Sequence, residues 1–325
     1  MAITTQSNRP FVQDEIQSSF IQRLVHDQLL PEAFWYNVSD FGHGDSLRIP
    51  NIGEAKIQEV NEDTPIKYNP IETGAVYLQI QNHKGDAWYV TQEMKEDGTD
   101  VAALLAARSQ ESARALAEEY ESLALSTLNA GSLSAPASHV INGRAHRVAG
   151  SDATVAGQIA VADFNYMGLV FDEAQMPIGG RVAIVAPAQA SYLWDKFNGA
   201  YNVDSNSVLQ GVLEGGFARD HRFVMNIAGW DVMTSNRLPV VTETLNDKDG
   251  TSRAVTGGRA CIFMCIADDN CKPLMGAWRR PPTTKTEFNK DVGGGRDETV
   301  VTSRYGWGVK RVDSLGVLVC SQALA

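Results

Sequence analysis

The sequence predicts an α+β chain in which a long extended loop and one very long helix precede a body of mixed strands and helices. Three observations carry this. In DSLRIP, Leu47 and Ile49 alternate with Ser46 and Arg48, and in AVYLQIQ, Val76, Leu78 and Ile80 alternate with Tyr77 and Gln79; period two means strands with one covered face. Thr99 to Asn129 has no proline or glycine and is dense in Ala, Leu and Glu, the composition of a stable helix. Short apolar runs bounded by turn residues follow to the C-terminus.

Taken in order, residues 1–14 are polar and unpatterned, and no apolar stretch follows a basic start as a signal peptide would require. From Ile16 to Leu30 the apolar Ile16, Phe20, Leu24 and Val25 recur at helical spacing until Pro31 stops the pattern. Residues 45–90 read as an extended hairpin with a polar tip, NIGEAKIQEVNEDTPIKYNPIETG, marginal in water unless it lies on something. The long helix follows, with Thr99 as a cap, Gly131 as its stop and a narrow seam of Val101, Leu105, Leu116, Tyr120 and Leu123; one narrow stripe predicts that it runs along a sheet. Residues 130–158 read as loop with short pieces. Val161–Gln175 and Pro187–Phe197 read as helices on either side of the buried strand Arg181–Ala186. Further strands are predicted at Trp230–Ser235, Arg259–Ala267, Lys285–Phe288 and Leu315–Cys320, with a hairpin turn at NDKDG between Val240–Leu245 and Thr251–Val255.

Composition bounds the function. The 325 residues allow one large domain or a few small ones, and their 43% hydrophobic content supports a core. There are 39 acidic against 28 basic residues, a net charge of −11, which argues against a broad nucleic-acid-binding face. No apolar run approaches the ~20 residues of a membrane-spanning helix.

Motifs with a mechanism are missing. There is no phosphate-cradling GxxxxGK[ST], no HExxH and no GxSxG, and neither GVLEGG nor GGG is a dinucleotide fingerprint. Cys261, Cys265, Cys271 and Cys320 read as small buried hydrophobes, since a zinc site draws on tight CxxC pairs. His139 and His146 read as solvated loop residues. Asp247 and Asp249 read as a turn, because a calcium loop would need a downstream Glu; Asp268 and Asp269 also read as a turn. Trp278-Arg279-Arg280-Pro281-Pro282 is the compact basic patch, expected to meet acids on the same or a neighbouring subunit. No cofactor and no metal is expected.

The order of parts resembles the major capsid proteins of tailed bacteriophages, the HK97-type fold. FIQRLVHDQLLPEAFWYN is similar to that family's passage from arm to body, GDSLRIP through DAWYVTQ to its extended loop, and DVAALLAARSQESARALAEEYESLALSTL to its spine helix. RVAIVAPAQASYLWD with GWDVMTSNRLPVV is similar to the axial-domain strands, and TVVTSRYGWGVKRVDSLGVLVC to the closing peripheral-domain strands. The resemblance implies an N-terminal arm over 1–44, an extended loop over 45–95, a peripheral domain over 96–154 rejoined by 286–325, and an axial domain over 155–285. It implies a non-enzymatic homo-oligomer of hexamers and pentamers, an icosahedral phage head around double-stranded DNA held without sequence-specific binding. Expected partners are a portal protein and scaffolding or decoration proteins, with no membrane, and the expected location is the virion after assembly in the host cytoplasm. Phe11, Lys56, Glu59, Glu62, Asp63, Lys67, Tyr68, Arg279 and Arg280 are the candidate inter-subunit contacts. An encapsulin-type shell with protein cargo, or a soluble α/β enzyme, are the alternatives.

Overall fold

The structure is a computed structural model that describes residues 30, 32–38, 44–53, 55, 57–60, 62, 68, 70–71, 73–98, 101–133, 139–152, 157–200 and 223–321. In chain order the described elements are a 3-10 turn (Glu32–Phe34), β1 (Trp35–Asn37), β2 (Ser46–Ile52), β3 (Thr73–Gln79), β4 (Asn82–Thr91), α1 (Gln92–Asp97), α2 (Val101–Leu133), β5 (Val140–Ile141), β6 (Arg144–Ala145), β7 (Arg147–Ala149), α3 (Val161–Glu173), β8 (Arg181–Val185), α4 (Pro187–Ala200), β9 (Phe223–Ile227), β10 (Trp230–Thr234), β11 (Val240–Asn246), β12 (Ser252–Cys265), β13 (Leu274–Asn289), β14 (Arg296–Val309) and β15 (Leu315–Cys320). The expected helix at 16–30 lies outside the described residues, except for Leu30. No described helix is long and apolar enough to cross a membrane.

Two large sheets hold most of the described strands, and β2-β3 and β5-β6 form two-stranded ribbons of their own. One large sheet is ordered β1-β13-β14-β4, and the other β7-β15-β12-β8-β10-β9, with β11 paired to the first half of β12. The second sheet is the better covered. Every residue of β8 and β15 is buried, and α3 lays Phe164, Met167, Val170 and Phe171 onto the sheet. Their rings lock edge to face: Phe164 meets Phe263 with centroids 5.3 Å apart, and Phe171 meets Trp230 at 5.0 Å. The NDKDG turn forms as predicted. One Asp247 carboxylate oxygen accepts from the backbone N–H of Asp249 (3.0 Å) and Thr251 (2.9 Å), and the other from Arg253 Nε (2.8 Å).

Several expectations need correction. The strand predicted at Lys285–Phe288 is the far half of β13, which starts at Leu274. Prolines in its middle hid it: the register jumps from Arg280↔Arg304 to Thr283↔Thr302, so Pro281 and Pro282 sit in a bulge where no ladder N–H is needed. β15, read together with β14 as one closing unit, joins the seven-stranded sheet, whereas β14 belongs to the four-stranded one. Gly131 does not end α2, which continues to Leu133. A Cβ at Gly131 would overlap the Val309 side chain, so this glycine permits close approach of helix and strand. The helix does run along sheet, but its seam is displaced. Glu121, Ala124, Leu125 and Leu128 are buried in its C-terminal half, whereas Leu116 and Leu123 are only partly covered. His146, expected in solvent, is buried; its Nδ1 lies 3.0 Å from the Leu315 carbonyl oxygen, and its ring lies over Phe171.

The extended loop is also divided. β2 and β3 pair antiparallel from Ser46↔Gln79 to Ile52↔Thr73, forming a flap whose tip is 53–72. β4, expected in the same hairpin, pairs along β14 instead. The flap is anchored at its root, where Leu78 and Ile80 are buried with Val38, Met275 and Ala277. Gly306 of β14 lies directly under this root: a Cβ there would overlap the Gln79 carbonyl oxygen, so backbone rests on backbone.

Candidate assembly surface

The flap is the surface feature to explain. Burial falls along it from root to tip. Leu78 is fully covered, Tyr77 is 59% exposed, and Ile71, Tyr68 and Ile57 reach 81%, 95% and 99%. Ile52 and Val60 are exposed with them. Isolated exposed apolar residues are ordinary, but a run of six on one thin ribbon is a patch that excludes water only when something lies on it. Of the candidates predicted on this ribbon, Glu59, Glu62 and Tyr68 are described and exposed. Lys56, Asp63 and Lys67 lie outside the described residues, as does Phe11 on the arm.

Arg279 and Arg280 do not join the tip. They sit half-buried in β13 near the flap root. There Arg280 Nη2 donates to His83 Nε2 at 2.9 Å, and Arg304, the cross-strand partner of Arg280, pairs with Asp45 at 2.6 Å. Arg280, Arg304 and His83 thus form one cross-strand row at the point where the flap leaves the body, and Asp45 pairs with Arg304 there.

Charge pairs tie the long helix to both sheets. Lys84 and Asp86 of β4 reach Glu119 (2.8 Å) and Arg108 (2.7 Å) of α2. Further along, Arg237 donates to the buried Glu121 at 2.5 Å, with the Ser235 hydroxyl 3.1 Å from the same carboxylate. Arg147, whose side chain is wholly buried, forks onto Glu243 (2.9 and 2.7 Å) and reaches Asn129 and Ser132 of α2. Such pairs fix geometry more than they add stability.

The remaining titratable groups occupy structural positions. Asp163, at the third residue of α3, accepts from the N–H groups of Ala160 (2.9 Å) and Ser151 (3.1 Å) and from the Ser151 hydroxyl. Burial raises its pKa, and these hydrogen bonds oppose the rise. Asp268 and Asp269 lie in the turn before Cys271, with Asp269 on Lys272 at 2.6 Å. Cys261, Cys265 and Cys320 are buried thiols in the seven-stranded sheet. Among the described residues no cluster of three or more His, Cys, Asp or Glu side chains is placed to hold a metal ion.

Sequence reasoning missed an aromatic cluster between α2 and the four-stranded sheet. Tyr120 stacks on Trp278 with centroids 4.5 Å apart and meets the edges of Tyr305 and Trp307, while Trp35 stands on Trp307 at 5.2 Å. The alternation in SRYGWG was the available signal, since Ser303, Tyr305 and Trp307 fall on one face of β14. Burial, with Glu119 nearby, pushes the Tyr305 hydroxyl up to about 12, so it stays a proton donor.

Solved structures share this arrangement. A structure from Mycobacterium phage Che8 matches at a TM-score of 0.64 and 14% identity, over 95% of this chain and 97% of that one. The capsid of cyanophage P-SCSP1u matches at 0.65 and 15%, over 96% and 94%, and the mature capsid of bacteriophage PhiM1 at 0.66 and 14%, over 96% and 93%. At such identities the likeness is one of fold. Flap, long helix and sheets are those of the HK97-type fold. A family model described as phage capsid protein matches residues 75–320, and the chain belongs to that family: it is a major capsid protein, a subunit of the phage head shell. No curated protein matches.

Proposed function

We propose that the chain assembles as hexamers and pentamers into an icosahedral head that encloses double-stranded DNA without sequence-specific binding, and that its role is structural rather than enzymatic. The observation that carries this is the flap: its root is buried in its own chain, and its outer half leaves Ile57, Tyr68 and Ile71 exposed. A ribbon of that kind gains its burial from a neighbouring copy. Repeated around a closed ring, each such contact is heterologous and satisfied once per subunit, and many weak contacts sum over the shell. Within this reading 1–44 is the arm, 45–95 the extended loop, 96–154 with 286–325 the peripheral domain and 155–285 the axial domain. Glu59, Glu62 and Tyr68, with Lys56, Asp63 and Lys67, face the next copy, and Phe11 on the arm does the same. Arg279 and Arg280 lie at the flap root, where acids of an adjacent flap can reach them. The net charge of −11 suits a container that confines DNA without gripping it. A portal protein and scaffolding or decoration proteins complete the head, which forms in the host cytoplasm and leaves as the virion.

The test is deletion of residues 53–72 with a short turn in their place. Sedimentation and negative-stain images should show soluble subunits or small oligomers with an unchanged melting temperature and no stable shells. Normal shells from this variant would overturn the reading.

A further inference from the structure

The ribbon of β5 and β6 turns on two residues, Asn142 and Gly143. Both have positive φ, 50° and 80°, as a type I′ turn requires. Both are exposed, and a Cβ built on Gly143 would meet nothing within 4 Å. The pair that closes the turn is Ile141 with Arg144, which leaves the Gly143 main-chain nitrogen outside the ladder. The ribbon is only two pairs long, Val140↔Ala145 and Ile141↔Arg144, so opening it costs little. It docks on α3. Asn142 Nδ2 donates to the Glu173 carbonyl oxygen at 3.4 Å, Arg144 pairs with the Glu173 carboxylate at 2.8 Å, and the Tyr166 hydroxyl donates to the Ala145 carbonyl oxygen at 3.3 Å. The sequence holds a second Asn-Gly pair, Asn198-Gly199, inside α4. There the Gly199 N–H belongs to the helix ladder and is engaged four residues back.

We propose that Asn142 is a self-modification site, at which the chain converts its own asparagine to aspartate and isoaspartate with water as the only reactant, and that the conversion frees the ribbon from α3. The Gly143 main-chain nitrogen bonds to Asn142 Cγ. The Cγ–Nδ2 bond breaks, and the proton of Gly143 leaves with Nδ2 as ammonia. Glycine allows this approach because it brings no side chain to the closing ring. Water then opens the cyclic imide, its hydroxyl going to one of the two ring carbonyl carbons and its proton to the nitrogen. Opening at Cγ restores the chain with an aspartate; opening at the main-chain carbon leaves the chain running through the former side chain. Neither product fits the site. The amide that donated to Glu173 becomes a carboxylate facing a carbonyl oxygen at the C-terminal end of a helix, where negative charge is unfavourable. It also competes with Glu173 for Arg144. The isoaspartate branch adds a methylene to a turn that has two residues to close it. In α4 the same dipeptide is held by its ladder, so the fold selects the site. The inference does not rest on the shell reading.

The experiment ages the full-length, unassembled chain in mildly alkaline buffer. Mass spectrometry then follows the peptides that hold Asn142 and Asn198, with chromatography to separate aspartate from isoaspartate. In the folded chain Asn142 should convert at least about tenfold faster than Asn198, because only the ribbon opens readily. In denaturant, where neither is held, the two rates should converge. Asn142→Gln, which would need a larger ring, should leave its peptide unconverted. Asn142→Asp stands for the product. Hydrogen exchange in 139–145 should be about tenfold faster in this variant and in aged wild type than in fresh wild type, while 315–320 stays protected and reports an intact body. Equal conversion of the two asparagines in the folded chain, or faster conversion of Asn198, would overturn the site. Exchange in 139–145 that is unchanged in both the variant and the aged chain would overturn the release of the ribbon. Shell formation is read separately by sedimentation, so failure of one idea leaves the other standing.

Discussion

Glu121 shows what a single buried charge demands. It is 1% exposed on the long helix, and Arg237 is its cation. Arg237→Ala should therefore destabilise the subunit by about 3–5 kcal/mol, because it strands a buried carboxylate. Glu121→Leu/Arg237→Met should restore most of that loss, as denaturant titration of both variants would show. His146 gives the pH counterpart. Burial lowers its imidazole pKa, with the Leu315 hydrogen bond opposing. Below the unfolded value of about 6.5, the unfolded chain binds a proton that the folded chain refuses. Stability is then lost as pH falls from there toward the folded pKa, with a slope of at most about 1.4 kcal/mol per unit. His146→Asn should flatten that part of the curve. Neither residue was legible in the sequence. A lone His in a Gly- and Ser-rich stretch, or one Glu among several on a helix, acquires its burial only when β15 and the loop after β10 close over it.

At the scale of elements, period and composition were enough to place β2, β3, the long helix and the NDKDG turn. What they did not supply was which side of the helix is covered. Leu116 and Leu125 look alike in sequence. The first borders the groove between the helix and the four-stranded sheet and is only partly covered, whereas the second lies in the main core with no exposure. Leu125→Ala should cost about 2–5 kcal/mol, and Leu116→Ala clearly less, as paired thermal melts would show; equal losses would mean that the groove is closed by the body itself. β13 was obscured for a different reason, since two prolines in a bulge look like a break when the partner strand is not in view. The aromatic cluster was hidden because its five members come from four separate segments.

For the molecule as a whole, the order of parts was legible while the contacts between them were not. An α+β chain with a flap and a spine helix follows from the sequence pattern, while the division of its strands between sheets does not; the solved structures have the same fold at 10–15% identity. So little shared sequence leaves most surface residues free to vary, which is why candidate contacts such as Glu59 and Arg280 cannot be read from pattern alone. One contact is fixed by main chain rather than by side chains. At Gly306 the sheet meets the flap root with only a hydrogen between them. Gly306→Ala should force the flap root away from the sheet, lower the melting temperature and yield malformed particles by electron microscopy; a wild-type melt with normal particles would show that this approach is tolerant.

The same contact acts as a protractor. The flap strands extend about 23 Å beyond their pivot, so a tilt of only ~10° at Gly306 would carry the outermost residues sideways by about 4 Å, close to one strand spacing. On the assembly proposed above, a single missing methyl group sets the bearing on which each copy seeks the next, and through it the curvature of the closed surface they build.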